Sequence, residues 1–294
     1  MNLYTHRESN VRKTWILFTG FLIVVMGIGW VFSQIYGNPS ILVFAVIFSM
    51  VMNFFSYWYS DKLVLSMSRA ELVEKKNAPE LINVVENLAI TAGLPMPKVY
   101  LVRDPSPNAF ATGRDPEHAA VAVTTGLLDK LDRSELEGVL AHELSHIGNR
   151  DILLSTVAVV LVGFIALLSD MFMRSVFWSR GDDDRRSGAI LMLVGVLLAI
   201  LAPISATLIQ LAISRSREFL ADASGAMLTR YPEGLALALE KISKYSAPMR
   251  SANNATAHLW ISDPHGKKHN MVAKLFMTHP PINESVARLR GLKI

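Results

Sequence analysis

From Thr14 to Ser60, and again from Ser187 to Ser214, the chain contains no Asp, Glu, Lys or Arg. The hydrocarbon core of a bilayer is about 30 Å thick, which a helix crosses in ~20 apolar residues. Four stretches reach that length: Thr14–Tyr36, Ile41–Tyr59, Ile152–Trp178 and Gly188–Ile213. The first two are separated only by Gly37-Asn38-Pro39-Ser40, residues that break helices and favour turns, so the pattern predicts a helical hairpin. The other two flank the polar run Ser179-Arg180-Gly181-Asp182-Asp183-Asp184-Arg185-Arg186-Ser187, which predicts a second hairpin. The first apolar stretch is longer than a signal-peptide core and no small-x-small cleavage site follows, so it is expected to stay as an anchor.

Between and after the apolar runs the periodicity changes. Leu81, Val84, Val85, Leu88 and Ala89 share one helical face, predicting an amphipathic helix over Pro79–Thr91 that Gly93 and Pro95 end. Lys98–Val102 and Ala119–Thr124 read as strands, with turn-rich Asp104-Pro105-Ser106-Pro107 and Gly113-Arg114-Asp115-Pro116 between them. Ser134-Glu135-Leu136-Glu137 reads as a capping box that opens a further helix. The expected architecture is mostly α and integral to a membrane. Spans 14–36 and 41–59 form one hairpin within 1–59, and spans 152–178 and 188–213 form the second. Residues 60–151 and 214–294 together make one α+β domain with a small sheet.

Composition agrees with lipid contact: 51% of residues are hydrophobic and 18% charged, against roughly 25% charged in soluble domains. Charge also orients the chain. Three Lys or Arg lie in 1–13, ten in 60–151 and twelve after 213, against none in the first hairpin tip and four around the second, where three Asp partly offset them. Cationic segments stay cytoplasmic, so both polar segments are expected in the cytosol. Asp170, near the far end of the third stretch, reads either as a residue at headgroup level or as a functional intramembrane acid. A net charge of +4, scattered along the chain, does not suit nucleic acid. With no Cys there is no disulfide, iron–sulfur cluster, zinc finger or thiol nucleophile, so any metal is held by His, Asp or Glu.

The helix opened at Ser134 carries Ala141-His142-Glu143-Leu144-Ser145-His146-Ile147. Residues i and i+4 lie one turn apart on one face, so His142 and His146 can share an ion. Glu143 beside them can reach a water on that ion, as a zinc hydrolase requires. Two His at this spacing also occur as plain surface residues. The apolar neighbours Leu140, Ala141, Leu144 and Ile147 favour partial burial, and a third ligand is available in Arg217-Glu218-Phe219-Leu220-Ala221-Asp222. The motif helix runs into the third apolar stretch and this segment leaves the fourth, so the second hairpin returns Glu218 to the depth of the His pair. Asp222, one turn on, could accept a hydrogen bond from the distal nitrogen of a ligand His. Alternatively Glu218 and Asp222 are surface carboxylates paired with Arg215 and Arg217.

Taken together, His142-Glu143-x-x-His146, Arg217-Glu218-x-x-x-Asp222, Pro107-Asn108-Ala109-Phe110-Ala111 and Thr278-His279-Pro280-Pro281 resemble the HtpX heat-shock proteases of bacterial inner membranes. More distantly they are similar to the CAAX prenyl proteases. The resemblance covers essentially the whole chain. It implies a gluzincin-like zincin domain with one Zn2+ per chain held by His142, His146 and Glu218, and Glu143 as general base. It also implies that Asn108, Ala109 and Phe110 line a cleft where a substrate strand adds to a sheet edge, and that His279 stabilises an oxyanion or positions substrate. Read from the residues alone, the His279 segment is a turn before an amphipathic stretch, Ile282–Leu292. His258, His265 and His269 read as an exposed loop, and His6 and His118 as solvated. The implied activity is endoproteolysis of misfolded or damaged membrane proteins at the cytosolic face of the bacterial inner membrane, as part of quality control and stress response. Implied partners are polypeptide substrates, the bilayer, and either membrane quality-control proteins or further copies of the chain. An intramembrane protease suits the motif less well, because Glu137, Arg150 and Asp151 bracket it at the interface. A zinc scaffold without catalysis has no need of Glu143, and prenyl-protein proteases carry more spans.

Overall fold

A computed structural model describes residues 3–178, 215–245, 247–253, 255–266 and 281–292. Helix α1 (Leu3–Tyr36) and helix α2 (Ser40–Met67) are joined at Gly37, whose φ of 61° suits the turn expected there. α2 continues past Tyr59, the end expected from hydropathy, for two further turns through Asp61 and Lys62, because Val64 and Leu65 bury themselves under the sheet. Among the described residues two helices, Glu8–Gln34 and Ser40–Met67, are long and apolar enough to cross a membrane. The third expected span is a continuous helix, α6 (Ile152–Trp178), but the fourth (188–213) and the second hairpin tip lie outside the described residues.

The sheet has four strands in the order β1-β2-β4-β3. β1 (Ala70–Leu72) runs antiparallel to β2 (Lys98–Val102), β2 parallel to β4 (Ala119–Thr124), and β3 (Ala109–Gly113) antiparallel to β4 with Ala111 opposite Val121. β2 and β4 match the expected strands, whereas β1 and β3 are additional. β4 is buried on both faces. Ala119, Val121 and Val123 meet α3 (Pro79–Ala92) and α5 (Arg133–Gly148), while Ala120 and Ala122 join Val64 and Leu65 of α2, Val159 of α6 and Trp260. Because β4 is rich in alanine, helices can lie close against both sides.

α3 has Pro79 in its first turn and ends on Gly93 in the left-handed conformation, with a φ of 64°. The short helix α4 (Thr125–Lys130) leads to α5, whose cap is Asp132 rather than the expected Ser134. Asp132 Oδ1 accepts from Glu135 N (3.0 Å), Glu135 Oε2 accepts from Asp132 N (2.9 Å), and the Ser134 hydroxyl donates to Asp132 (2.8 Å). A carboxylate satisfies the free amides of the first turn and carries charge that suits a helix N-terminus. Beyond residue 214 come α7 (Arg215–Thr229), α8 (Pro232–Lys244) and α9 (Ile282–Arg290). Arg290 fastens α9 to α8 through Glu233 (2.7 Å) and Glu240 (2.8 Å).

Candidate metal centre

α5 and α7 touch backbone to backbone. A Cβ on Gly225 would stand 2.9 Å from His142 N, and one on Gly138 2.6 Å from Leu235 N of α8. With hydrogen at Gly225 α7 lies directly on the motif turn of α5, with hydrogen at Gly138 α8 packs closely on the preceding turns, and Glu218 and Asp222, two and one turns before Gly225, face the His pair.

His142 Nε2 and His146 Nε2 are 3.2 Å apart, and Glu218 Oε2 is 3.8 Å from each. Tetrahedral zinc with bonds of 2.0–2.1 Å to nitrogen places its ligands about 3.3 Å apart, so the three atoms already form a face that a small divalent cation fits. His142 is buried, and His146 and Glu218 are nearly so. Each imidazole is backed by a carboxylate: Asp222 Oδ1 lies 2.9 Å from His142 Nδ1, and His146 Nδ1–H donates to Asp151 Oδ2 at 3.1 Å. A distal carboxylate holds the ring in the tautomer that leaves Nε2 for the metal. In the sequence Asp151 stands out only as one of the charges that bracket the motif. Its role depends on the fold of the turn after it.

That turn is a Schellman motif. The amide of Asp151 donates to His146 O (3.0 Å) and that of Arg150 to Ile147 O (3.1 Å), while Arg150 takes a φ of 56°. A residue with a side chain adopts this conformation at a cost of about 1–2 kcal/mol. In return the chain bends by 85° between α5 and α6, and the Asp151 carboxylate folds back onto its own helix.

The electrostatics suit a cation. Burial alone would lower the His146 pKa, but Glu218, Asp151 and Glu143 surround the ring with negative charge and push it up to about 9. Burial also lowers the pKa of Arg217, which Asp151 and Glu218 counteract. The site therefore attracts positive charge, and two imidazoles with one carboxylate, in a chain without Cys, form a donor set suited to zinc.

Glu143 is buried and lines a cleft, open to solvent, together with Ala111, His146, Asp151, Ser155, Glu218 and His258. His258 is thus not on an exposed loop as its glycine- and lysine-rich surroundings suggested: it is buried and its Nε2 is 3.2 Å from Ser155 O. No local pattern marked it, because its neighbours in space come from α6. Asn108, Ala109 and Phe110 lead into the cleft along β3. The Asn108 side chain bridges to Ser262 N and O (3.0 and 2.8 Å), Ala109 O accepts from Ile261 N (3.0 Å), and the Phe110 ring stands edge-on to Trp260 at 4.6 Å. The residue of β3 that lines the cleft is Ala111, on the outer edge of the sheet. His265 is exposed, His118 pairs with Asp115 at 2.6 Å on the surface, and His269 and His279 lie outside the described residues. The side chains of His6 and Asp170 likewise lie outside those described.

Comparison with known proteins agrees with this geometry. The profile of Peptidase family M48 matches residues 75–293, a stretch that contains all three ligand candidates, Glu143 and both supporting carboxylates. A protein described as "Protease HtpX homolog" from Caldanaerobacter subterraneus subsp. tengcongensis is 48% identical over 299 residues, covering 99% of this chain and 98% of that protein. Another of the same description, from Thermoanaerobacter pseudethanolicus, is 47% identical over 297 residues, with 99% and 98% covered. In fold the chain is similar to a solved structure, "Crystal Structure of S. mikatae Ste24p", with a TM-score of 0.51 at 17% identity, covering 98% of this chain and 66% of that one. With a ligand-competent His-His-Glu group inside the matched stretch and near-full-length likeness to proteases, the chain belongs to peptidase family M48 and is a metallopeptidase.

Proposed function

We propose that this chain is a membrane-anchored, zinc-dependent endopeptidase that hydrolyses peptide bonds of misfolded or damaged membrane proteins at the cytosolic face of the bacterial inner membrane. The observation that carries the reading is the convergence of His142, His146 and Glu218, whose ligand atoms lie within 4.8 Å of one another, with Glu143 in the same cleft. His142, His146 and Glu218 would hold a zinc ion, which when bound would supply Lewis acidity and lower the pKa of a coordinated water to about 7. Glu143 takes the water's proton as general base and returns it to the leaving amine. Asp222 and Asp151 hold the two imidazoles in register. Substrate adds as a strand to the outer edge of β3 at Ala111, beyond Asn108, Ala109 and Phe110, so backbone hydrogen bonds carry binding with little demand on side-chain identity. His279 is assigned to oxyanion stabilisation or substrate positioning by the family resemblance.

Membrane attachment is supported by α1 and α2, and the placement of residues 60–151 and 214–294 in the cytosol by the charge distribution. The reading keeps 152–213 as a second membrane hairpin that joins the two parts of the peptidase domain. The test is Glu143→Gln in the full-length, detergent-purified protein. Bound zinc is expected to stay at one per chain while cleavage of a casein-type substrate falls about 10²–10⁴-fold. Glu218→Ala is expected to lower the zinc content itself. Proteolysis that survives Glu143→Gln would remove the general-base assignment.

A further inference from the structure

The first apolar helix reaches the metal centre. Asn10 lies in the first third of α1, 3% exposed, and its side-chain amide donates to Asp151 Oδ1 and, at 3.5 Å, to Asn149 O. The other oxygen of the same carboxylate, Asp151 Oδ2, accepts from His146 Nδ1. Three polar side chains from α1, the α5–α6 turn and α5, two buried and the third nearly so, thus form a line that ends on a candidate ligand imidazole. A buried primary amide costs free energy unless it is bonded, and here both of its acceptors belong to the turn that supports the ligand.

We infer that Asn10 is a positioning residue for His146: its amide holds the Asp151 carboxylate so that one oxygen stays fixed on His146 Nδ1 and Nε2 stays aimed at the metal. The buried Arg217 guanidinium also attracts the Asp151 carboxylate electrostatically. The Asp151 backbone is tied to His146 O, so the freedom left to the carboxylate is rotation of the side chain, which the Asn10 amide restrains. Thr14 donates its hydroxyl to Asn10 O (3.0 Å), which fixes the helical turn that carries the amide. The inference rests on the zinc-peptidase reading above and adds to it a residue of the membrane hairpin.

The test is a double-mutant cycle on zinc affinity, measured by competition with a chelator on the full-length chain in detergent. Groups that orient a metal ligand contribute roughly 10- to 100-fold to affinity. Asp151→Ala is expected to weaken zinc binding by that range and Asn10→Ala by about 10-fold. The double variant is expected to be no weaker than Asp151→Ala alone, since Asn10 acts only through the carboxylate. Asn10→Leu, similar in volume and without donors, decides the matter if the alanine variant fails to fold, and thermal unfolding of the zinc-free proteins reports folding independently. An Asn10 variant that folds and binds zinc within twofold of wild type would overturn the inference, as would losses that add in the double variant. Wild-type protein that binds no zinc would instead sink the peptidase reading, so the two failures are distinguishable.

Discussion

The α1–α2 hairpin and the segment built on the sheet are constructed on opposite plans. Around the sheet, Val85, Val121, Leu140, Leu144 and Leu235 are buried, and Lys, Arg and Glu cover the outside. In the hairpin the outward residues are Trp15, Ile23, Trp30, Phe44, Met50 and Phe54, while Asn10, Thr14, Ser33, Ser49, Ser56 and Ser60 are buried between helices. Such an apolar exterior is incompatible with water but suits lipid, and small or polar residues at a helix contact let backbones approach where lipid supplies no hydrophobic drive for association. The same twenty side chains are therefore sorted by two solvents within one chain, and an identical substitution should have opposite consequences in the two regions.

Two exposed methionines give the largest contrast. Met50 in α2 is 58% exposed and Met227 in α7 is 67% exposed. Met50→Lys should disfavour membrane insertion by about 2.5–3.5 kcal/mol, read as loss of full-length chain from the membrane fraction, whereas Met227→Lys should shift stability by less than about 0.5 kcal/mol. Equal behaviour of the two would break the contrast. A smaller effect separates two small buried residues. Gly225→Ala drives a methyl into the backbone of His142 and should cost about 1–3 kcal/mol in thermal unfolding, with weaker zinc binding. Ser56→Ala should be close to neutral, because the Ser56 hydroxyl has no hydrogen-bond partner among the described residues. The smallest effect lies at the joint between the regions. Arg150→Gly relieves the left-handed strain but loosens the unfolded chain by about 0.4–1 kcal/mol, for a net stabilisation of about 0–1.6 kcal/mol, measurable by chemical denaturation.

The sequence was most legible where a local period or a short motif coincides with the structure. Lys98–Val102 and Ala119–Thr124 are strands with those boundaries, the Gly37 turn is where expected, and His142, His146, Glu218 and Asp222 come together in space. β3 was hidden because Ala-Phe-Ala-Thr-Gly is short, buried on both faces and so without alternation, and β1 is too short to carry a pattern. The cap is Asp132 rather than Ser134 because the Asp132 carboxylate, two residues earlier, accepts from Glu135 N while the Ser134 hydroxyl donates to it. Asp151, His258 and Asn10 were illegible for a different reason. Each is a single polar residue whose meaning comes from a partner on another element, and no spacing along the chain encodes that.

The contact between Asn10 and Asp151 spans 141 residues and joins helix α1 to a turn that emerges from the ribosome much later. On the inference drawn above, a chain whose α1–α2 hairpin failed to enter the bilayer would present its motif helix without that support, and its site would hold the cation about 10-fold less tightly.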